Sequence, residues 1–259
     1  MRTDQTIGVV VVGPTGRMGE RVRALVEADP SMTLVACIGR PGEPGAVAAC
    51  DIAPGDVDVV IDFSHRDAVA GHAALCARNG WAWVVGTTGL GADEDVIVAA
   101  TAEETLVFQA ANFSIGVALL ADLANRAARV LGLDADVEIV ESHHHHKVDA
   151  PSGTALALAT AVAGGRNQAL EDVLRHGRSG LVGARPRGEI GMHALRLGDI
   201  VGHHEVHFAW PAEGLVLTHD ARDRGVFAQG ALRAALYAAQ RRRAGATGLI
   251  GMRDLVQDA

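Results

Sequence analysis

The chain has 259 residues, of which 49% are hydrophobic and 21% charged, and its formal net charge is −8. That length and apolar content allow one large or two modest domains with a substantial core. The acidic balance excludes a general nucleic-acid binder, and no apolar run reaches the length of a membrane span.

The N-terminus leads straight into a strand pattern with no signal-peptide pattern. Cys37, Cys50 and Cys76 have neither CxxC spacing nor an even number, and read as small core residues in a reducing cytoplasm. Aromatic residues are only 3%, so the core is expected to be built of small side chains.

Residues 7–12 form a continuous apolar, β-branched run, which predicts a strand buried on both faces as in a parallel sheet. Gly13-Pro14-Thr15-Gly16-Arg17-Met18-Gly19 follows at once, then a helical pattern over 20–28. Strand, glycine-rich turn and helix are the context of a dinucleotide site. The glycines permit a tight turn and close approach of backbone to a pyrophosphate on the helix N-terminus. The spacing is GxxGxxG rather than GxGxxG, so the turn by itself also suits a structural βα connection.

A second strand is predicted over 33–38. At its end a site preferring NADH places Asp or Glu against the ribose hydroxyls, whereas this chain has Gly39-Arg40. Arg40 can pair with the 2′-phosphate of NADPH or stand as a solvated loop arginine. The expectation is use of both NADPH and NADH with a lean toward NADPH.

Residues 41–55 are rich in Gly, Pro and Ala and read as a loop. A strand over 57–64, a helix over 68–79 and a strand with its turn over 81–89 follow. The last ends in Gly86-Thr87-Thr88-Gly89, at the edge where cofactors bind in open α/β sheets. A helix over 93–103, a strand over 105–110, a break over 111–114 and a long helix over 115–131 complete the first half.

The densest chemistry follows a strand predicted over 136–140. Val140-Glu141-Ser142-His143-His144-His145-His146-Lys147-Val148-Asp149-Ala150-Pro151-Ser152-Gly153-Thr154-Ala155 runs into an apolar helix over 156–163. Pro151 fits the first turn of that helix and Ser152 or Thr154 can cap it. Free backbone N–H groups at such a start bind anions. The imidazoles and Lys147 stand just upstream, an arrangement that suits a small carboxylate needing both a grip and a proton. Four consecutive His on an extended segment point alternately to opposite sides, so no metal is expected.

Residues 164–187 are polar and Gly-rich and read as a mobile connection. Strand patterns over 188–196, 203–209 and 215–221 with short turns predict a largely antiparallel sheet in a second, α+β domain with an exposed sheet face. His193, His203, His204, His207 and His219 are assigned to packing or to that face. A last long helix is expected from 222 through 240.

Glu141-x-His143-His144-x-x-Lys147-x-Asp149-x-Pro151-Ser152-Gly153-Thr154-Ala155 closely resembles the signature of the 4-hydroxy-tetrahydrodipicolinate (dihydrodipicolinate) reductases of the bacterial diaminopimelate–lysine pathway. The GxxGRMG form of Gly13 to Gly19 is similar to theirs, and the resemblance extends from Val9 to Tyr237. It implies a Rossmann-like dinucleotide-binding domain, residues 1–113 and 222–259, and a substrate-binding and tetramerisation domain, residues 114–221. It also implies reduction of a cyclic unsaturated imine dicarboxylate with hydride from NADPH or NADH, in a cytoplasmic homotetramer.

By the same resemblance His143 is the acid/base and Lys147 the proton donor, with the choice of which protonates the ring left open. His144, Lys147, Ser152, Gly153, Thr154 and Arg224 would meet the substrate. Gly13, Thr15, Gly16, Arg17, Met18, Gly19, Arg40, Gly86, Thr87, Thr88, Ala110, Asn112 and Phe113 would meet the cofactor. Gly39 departs from the family, which often has an acidic residue there. Two rival readings are a non-catalytic NADP(H) sensor and a dehydrogenase of another amino or keto acid. The sensor has no reason to keep His143, Lys147 and the Ser-Gly-Thr helix start together, and the length of the motif counts against the other dehydrogenase.

Overall fold

A computed structural model of the chain describes residues 6–40, 42–48 and 51–259. Cys50, expected as a core thiol, lies outside the described residues, as do residues 1–5, 41 and 49. In chain order the elements begin with β1 (Ile7–Val12), α1 (Arg17–Ala28), β2 (Met32–Ile38), β3 (Val59–Asp62), α2 (Val69–Asn79), β4 (Ala82–Val85), α3 (Ala92–Glu104) and β5 (Leu106–Gln109). There follow α4 (Ile115–Leu131), β6 (Asp136–His143), α5 (Gly153–Gly165), α6 (Leu170–Val173), β7 (Leu174–His176), β8 (Ile190–Arg196), β9 (Gly202–Trp210) and β10 (Glu213–Ala221). The chain ends with α7 (Gly225–Arg243), β11 (Gly248–Ile250) and α8 (Met252–Gln257).

Two compact units emerge, Met1–Ser114 with Gly225–Ala259, and Ile115–Arg224. The crossings coincide with the starts of α4 and α7. Arg222 and Arg224 therefore belong to the second unit, and the long helix opens at Gly225 rather than at 222.

The first unit is built on a parallel sheet of order β11-β5-β4-β3-β1-β2. Its strand β1, paired on both sides by β3 and β2, is buried end to end, which is what an unbroken valine run requires. One face carries Val10, Val60, Trp83, Val85 and Val107 against Val69, Ala73 and Cys76 of α2 and Val98 of α3. α1 and α7 pack against each other, and α7 also packs on β3, β4 and β5. α7 buries Ala228, Ala231, Ala234, Ala235, Ala238 and Ala239, small side chains that bring its axis close to its neighbours. A Cβ at Gly230 would run into the carbonyl oxygen of Phe113, so α7 lies directly on that backbone.

The second unit has the sheet order β10-β9-β6-β8-β7. The expectation of a largely antiparallel sheet is corrected. β10, β9 and β6 pair antiparallel, but β6–β8 and β8–β7 are parallel. β6 has inserted between β8 and β9, so the short turn joining those two does not make them neighbours. Val137, Ile139, Ile190, Met192, Val206 and Phe208 form its core with Leu120, Ala124 and Ala128 of α4 and Leu158, Ala159 and Val162 of α5.

The segment read as a mobile connection is largely built into this unit. It supplies the end of α5, α6 and the edge strand β7. Arg166 donates to Ala135 O at 2.5 Å, and Arg178 and Arg185 meet Glu138 and Glu189. Among the described residues no helix is long and apolar enough to cross a membrane.

Candidate functional site

Chemistry gathers at one place in each unit. In the first, β1 is followed by Gly13 at φ +72°, where a Cβ would stand 2.8 Å from Phe63 O. Glycine is required there both by the backbone region and by the close approach. α1 then starts from Gly16, and no side chain caps it. Its first-turn N–H groups are left for an anion, unlike those of a helix capped from its own sequence.

A cavity of about 820 Å³ lies over this turn, lined by Gly13, Thr15, Gly16, Gly39, Arg40 and Glu43 among others. A second, of about 400 Å³, is lined by Gly16, Arg17, Met18, Gly86, Thr87, Thr88, Asn112 and Phe113. Both are bounded by Gly16, Phe63 and Ser64, so they form one elongated cleft. An uncapped helix start, a turn with glycine at positions 13 and 16, and a long cleft fit a dinucleotide.

Two expected cofactor residues do not line the cleft. A Cβ at Gly19 would run into Gly13 O, so that glycine lets α1 lie on its own turn. Ala110 donates its N–H to Val85 O at 3.2 Å and continues the sheet.

Behind the cleft wall stands Asp62, wholly buried. Its carboxylate accepts from Ser64 Oγ at 2.6 Å, His72 Nδ1 at 2.8 Å, Ser64 N at 3.0 Å and Thr87 Oγ1 at 3.3 Å. Burial alone would raise its pKa, but the bonds from His72 and Ser64 outweigh that and hold it below the usual carboxylate range. One buried charge thus fixes residues on two stretches of the cleft wall, 64 and 87.

In the second unit β6 continues through His143, three residues beyond the predicted strand end. Val137, Ile139 and Glu141 share its inward face, so strand alternation carries Glu141 into the core. There Glu141 is wholly buried and receives both terminal nitrogens of Arg196, each at 2.9 Å. It also accepts from Ser152 N at 3.0 Å and from His143 Nδ1 at 2.6 Å. Burial would raise its pKa, yet the hydrogen bonds from Arg196 and His143 keep it low and ionised. A carboxylate on Nδ1 fixes the His143 tautomer and leaves Nε2 to exchange a proton. Gly202 faces that nitrogen: a Cβ there would stand 3.2 Å from Nε2.

α5 is capped by Ser152, whose hydroxyl accepts from Ala155 N at 3.2 Å and meets His204 Nε2 at 3.2 Å. Pro151 precedes the cap instead of sitting in the first turn, and Thr154 is not the cap. Ser152 is buried beneath the helix start, while Gly153 is exposed with nothing within 4 Å of a would-be Cβ.

His204 stands opposite Glu141 in the β6–β9 register and edge-on to His143, with ring centroids 5.2 Å apart. Burial and then the charge of His143 push its pKa down to about 4. His204, with Glu141 and Arg196, belongs to the cluster and escaped the sequence reading. The signal was present in part, since Gly202, His204, Val206 and Phe208 alternate inward along β9.

Burial first, then the charge of Arg224, with smaller contributions from neighbours including Lys147, lowers the His144 pKa. Lys147 pairs with Asp149 at 2.9 Å and closes the loop through its N–H to His144 O. His145 is pinned by its Nδ1 to Gly198 O at 3.0 Å and lies against His146, with the ring centroids 3.9 Å apart and the planes tilted by 48°. Among the described residues no three His, Cys, Asp or Glu side chains are grouped to hold a metal.

Comparison with known proteins gives a consistent result. The family model described as "Dihydrodipicolinate reductase, N-terminus" matches residues 7–113, and "Dihydrodipicolinate reductase, C-terminus" matches residues 116–256. A 4-hydroxy-tetrahydrodipicolinate reductase of Ruegeria pomeroyi is 44% identical over 89% of this chain and 92% of its own. One of Psychrobacter arcticus is 42% identical over 90% of each. Among solved structures, a dipicolinate-bound dihydrodipicolinate reductase from Paenisporosarcina sp. TG-14 superposes with a TM-score of 0.74 at 26% identity, covering 95% of this chain and 97% of that one.

Proposed function

As the chain belongs to the dihydrodipicolinate reductase family, we propose that it reduces 4-hydroxy-tetrahydrodipicolinate to tetrahydrodipicolinate with NADPH or NADH, in diaminopimelate and lysine biosynthesis. Loss of water from the substrate gives a conjugated cyclic imine, and addition of one hydride and one proton completes the product. The bound dinucleotide supplies the hydride. The uncapped start of α1 and the turn from Gly13 to Gly16 would hold its pyrophosphate. Arg17, Met18, Thr87, Thr88, Asn112 and Phe113 would bound its nicotinamide half.

The observation that carries the reading is the exposed Gly153 at the start of α5, just past the Ser152 cap, beside a buried Glu141–His143 pair. Gly153 and Thr154 would receive one substrate carboxylate, with Ser152 holding the helix start in place. His144, Lys147 and Arg224 would offset the dicarboxylate charge. Lys147 and His143 are the two proton carriers, His143 with Nδ1 committed to Glu141 and Nε2 available.

Lysate-free assay at the nicotinamide absorbance, with substrate formed in situ by the preceding enzyme, tests the activity. Substrate-dependent oxidation is expected with both dinucleotides, and none with either would overturn the reading. A homotetramer is supported by apolar side chains left exposed on the second sheet, Leu195, Leu215 and Val216. Sedimentation equilibrium would return four chain masses. The buried thiols of Cys37 and Cys76, both unpaired, suit the cytoplasm.

A further inference from the structure

The end of β2 lacks the acidic side chain that commonly holds the adenosine ribose of NADH, yet a carboxylate stands over that place. The chain turns back after Gly39: Glu43 N donates to Arg40 O at 2.9 Å, and Val47 N donates to Cys37 O at 2.9 Å. This fold-back carries the Glu43 side chain across the strand end. Its Oε2 accepts from Arg40 N at 2.7 Å, and its Oε1 accepts from Thr15 Oγ1 at 2.5 Å, on the glycine-rich turn itself. A Cβ at Gly39 would stand 2.5 Å from Glu43 Oε2, so the missing side chain at 39 is what leaves room for the carboxylate of 43. Gly39, Arg40, Glu43 and Thr15 all line the same cavity.

We propose that Glu43 is the residue that selects between the two dinucleotides, taking from four positions downstream the place left empty at Gly39, and that it favours NADH over NADPH. This inference rests on the first unit binding a dinucleotide. A carboxylate is an acceptor only, and each of its oxygens keeps a second lone pair beyond the bonds to Thr15 and Arg40. It can therefore accept from the ribose 2′- and 3′-hydroxyls. A 2′-phosphate brings about two negative charges and no donor at neutral pH, so it meets repulsion from Glu43 beside the attraction of Arg40. The bonds from Thr15 and from Arg40 N hold the Glu43 carboxyl below the usual range, so it is charged at neutral pH. On this proposal the preference runs opposite to the lean toward NADPH expected from Gly39-Arg40.

The test is equilibrium binding of NADH and NADPH, read by nucleotide fluorescence, to the full chain and to Glu43→Gln and Arg40→Ala. The expected result is tighter binding of NADH by the unaltered protein. Glu43→Gln should shift the NADH-to-NADPH affinity ratio toward NADPH by about tenfold or more, the scale of hydrogen bonds to a charged group. Arg40→Ala should weaken NADPH alone. A ratio unchanged within about twofold in Glu43→Gln, while both dinucleotides bind, overturns the selector role and leaves the dinucleotide site intact. Failure of the unaltered protein to bind either dinucleotide overturns the site, and this inference with it.

Discussion

His143 ends β6 and Lys147 stands in the loop that follows, and the two are held in different ways. His143 is locked by Glu141, whereas the Lys147 ammonium pairs with Asp149 in a loop position. Lys147→Ala should therefore leave the fold intact and lower turnover by roughly 10²–10⁴, the usual effect of losing a positioned acid. Near-normal steady-state turnover would remove Lys147 from the proton path. Glu141 is the opposite case. Replacing it with Ala takes the carboxylate from the Arg196 guanidinium and leaves the Ser152 N–H without its acceptor, and removing one partner of a buried pair costs about 3–5 kcal/mol. Chemical denaturation should show that loss in the midpoint. A loss below about 1 kcal/mol would mean that water replaces the carboxylate. Of these residues, His143 and Lys147 were legible from motif and spacing. Glu141 was quoted within the motif without a role, because its partner Arg196 lies on another strand.

At the level of elements, α5 and α7 depend on single positions. Ser152 is both the cap of α5 and the partner of His204. Ser152→Ala should cost about 1 kcal/mol for the cap, within the usual range of roughly 0.5–2, and should raise KM for the dicarboxylate as the helix start loosens. A variant with unchanged melting temperature and KM would show the cap to be dispensable. On α7, Gly230 admits the backbone of Phe113. Gly230→Ala has higher helix propensity, by about 1 kcal/mol, yet should destabilise, since the new methyl has no space and overpacking costs about 1–3 kcal/mol. A stabilised variant, measured by thermal melting, would contradict the close approach.

For the whole molecule the buried ionisable groups set a pH window. Folded His204 takes up its proton near pH 4, whereas an unfolded His does so near about 6.5. Between those values the unfolded chain binds more protons, so stability falls as pH falls. The full difference is worth up to about 3 kcal/mol at roughly 1.4 kcal/mol per tenfold change in acidity. His144 and His219, also lowered mainly by burial, act in the same direction. A second loss follows below the ordinary carboxylate range. Burial opposes ionisation of Glu138, but Arg178 and His193 win and bring its pKa to about 2. Glu138, Asp62 and Glu141 thus contribute stability that is complete above about pH 4–5 and disappears as acid protonates them. Urea unfolding from pH 8 to pH 3 should show a decline beginning near 6.5 and steepening below about 4.5. His204→Asn should flatten the first part, and a flat profile in the unaltered protein between 6.5 and 4.5 would refute the buried neutral imidazole.

The sequence by itself determined what depends on near neighbours along the chain. The valine run of β1, the glycine turn after it, the apolar period of α4 and the open helix start after Pro151 were all readable, because each is a pattern repeating over a few residues. The parallel first sheet followed from alternating strands and helices. Tertiary structure alone decided which strands lie side by side, and with that the composition of both sites. β6 entered between β8 and β9, which brought Arg196, 55 residues away, onto Glu141, and set His204 across from it. Arg178 and Arg185 fall in the segment read as a mobile connection, and the fold sets Glu138, 40 and 47 residues upstream, beside them. Glu43 lay in an unpatterned loop, and only the fold-back on Cys37 carried it over Gly39. Local periodicity reports which face of an element is buried, but buried charges find their partners across strands, and strand order is set by how the faces of whole elements pack together.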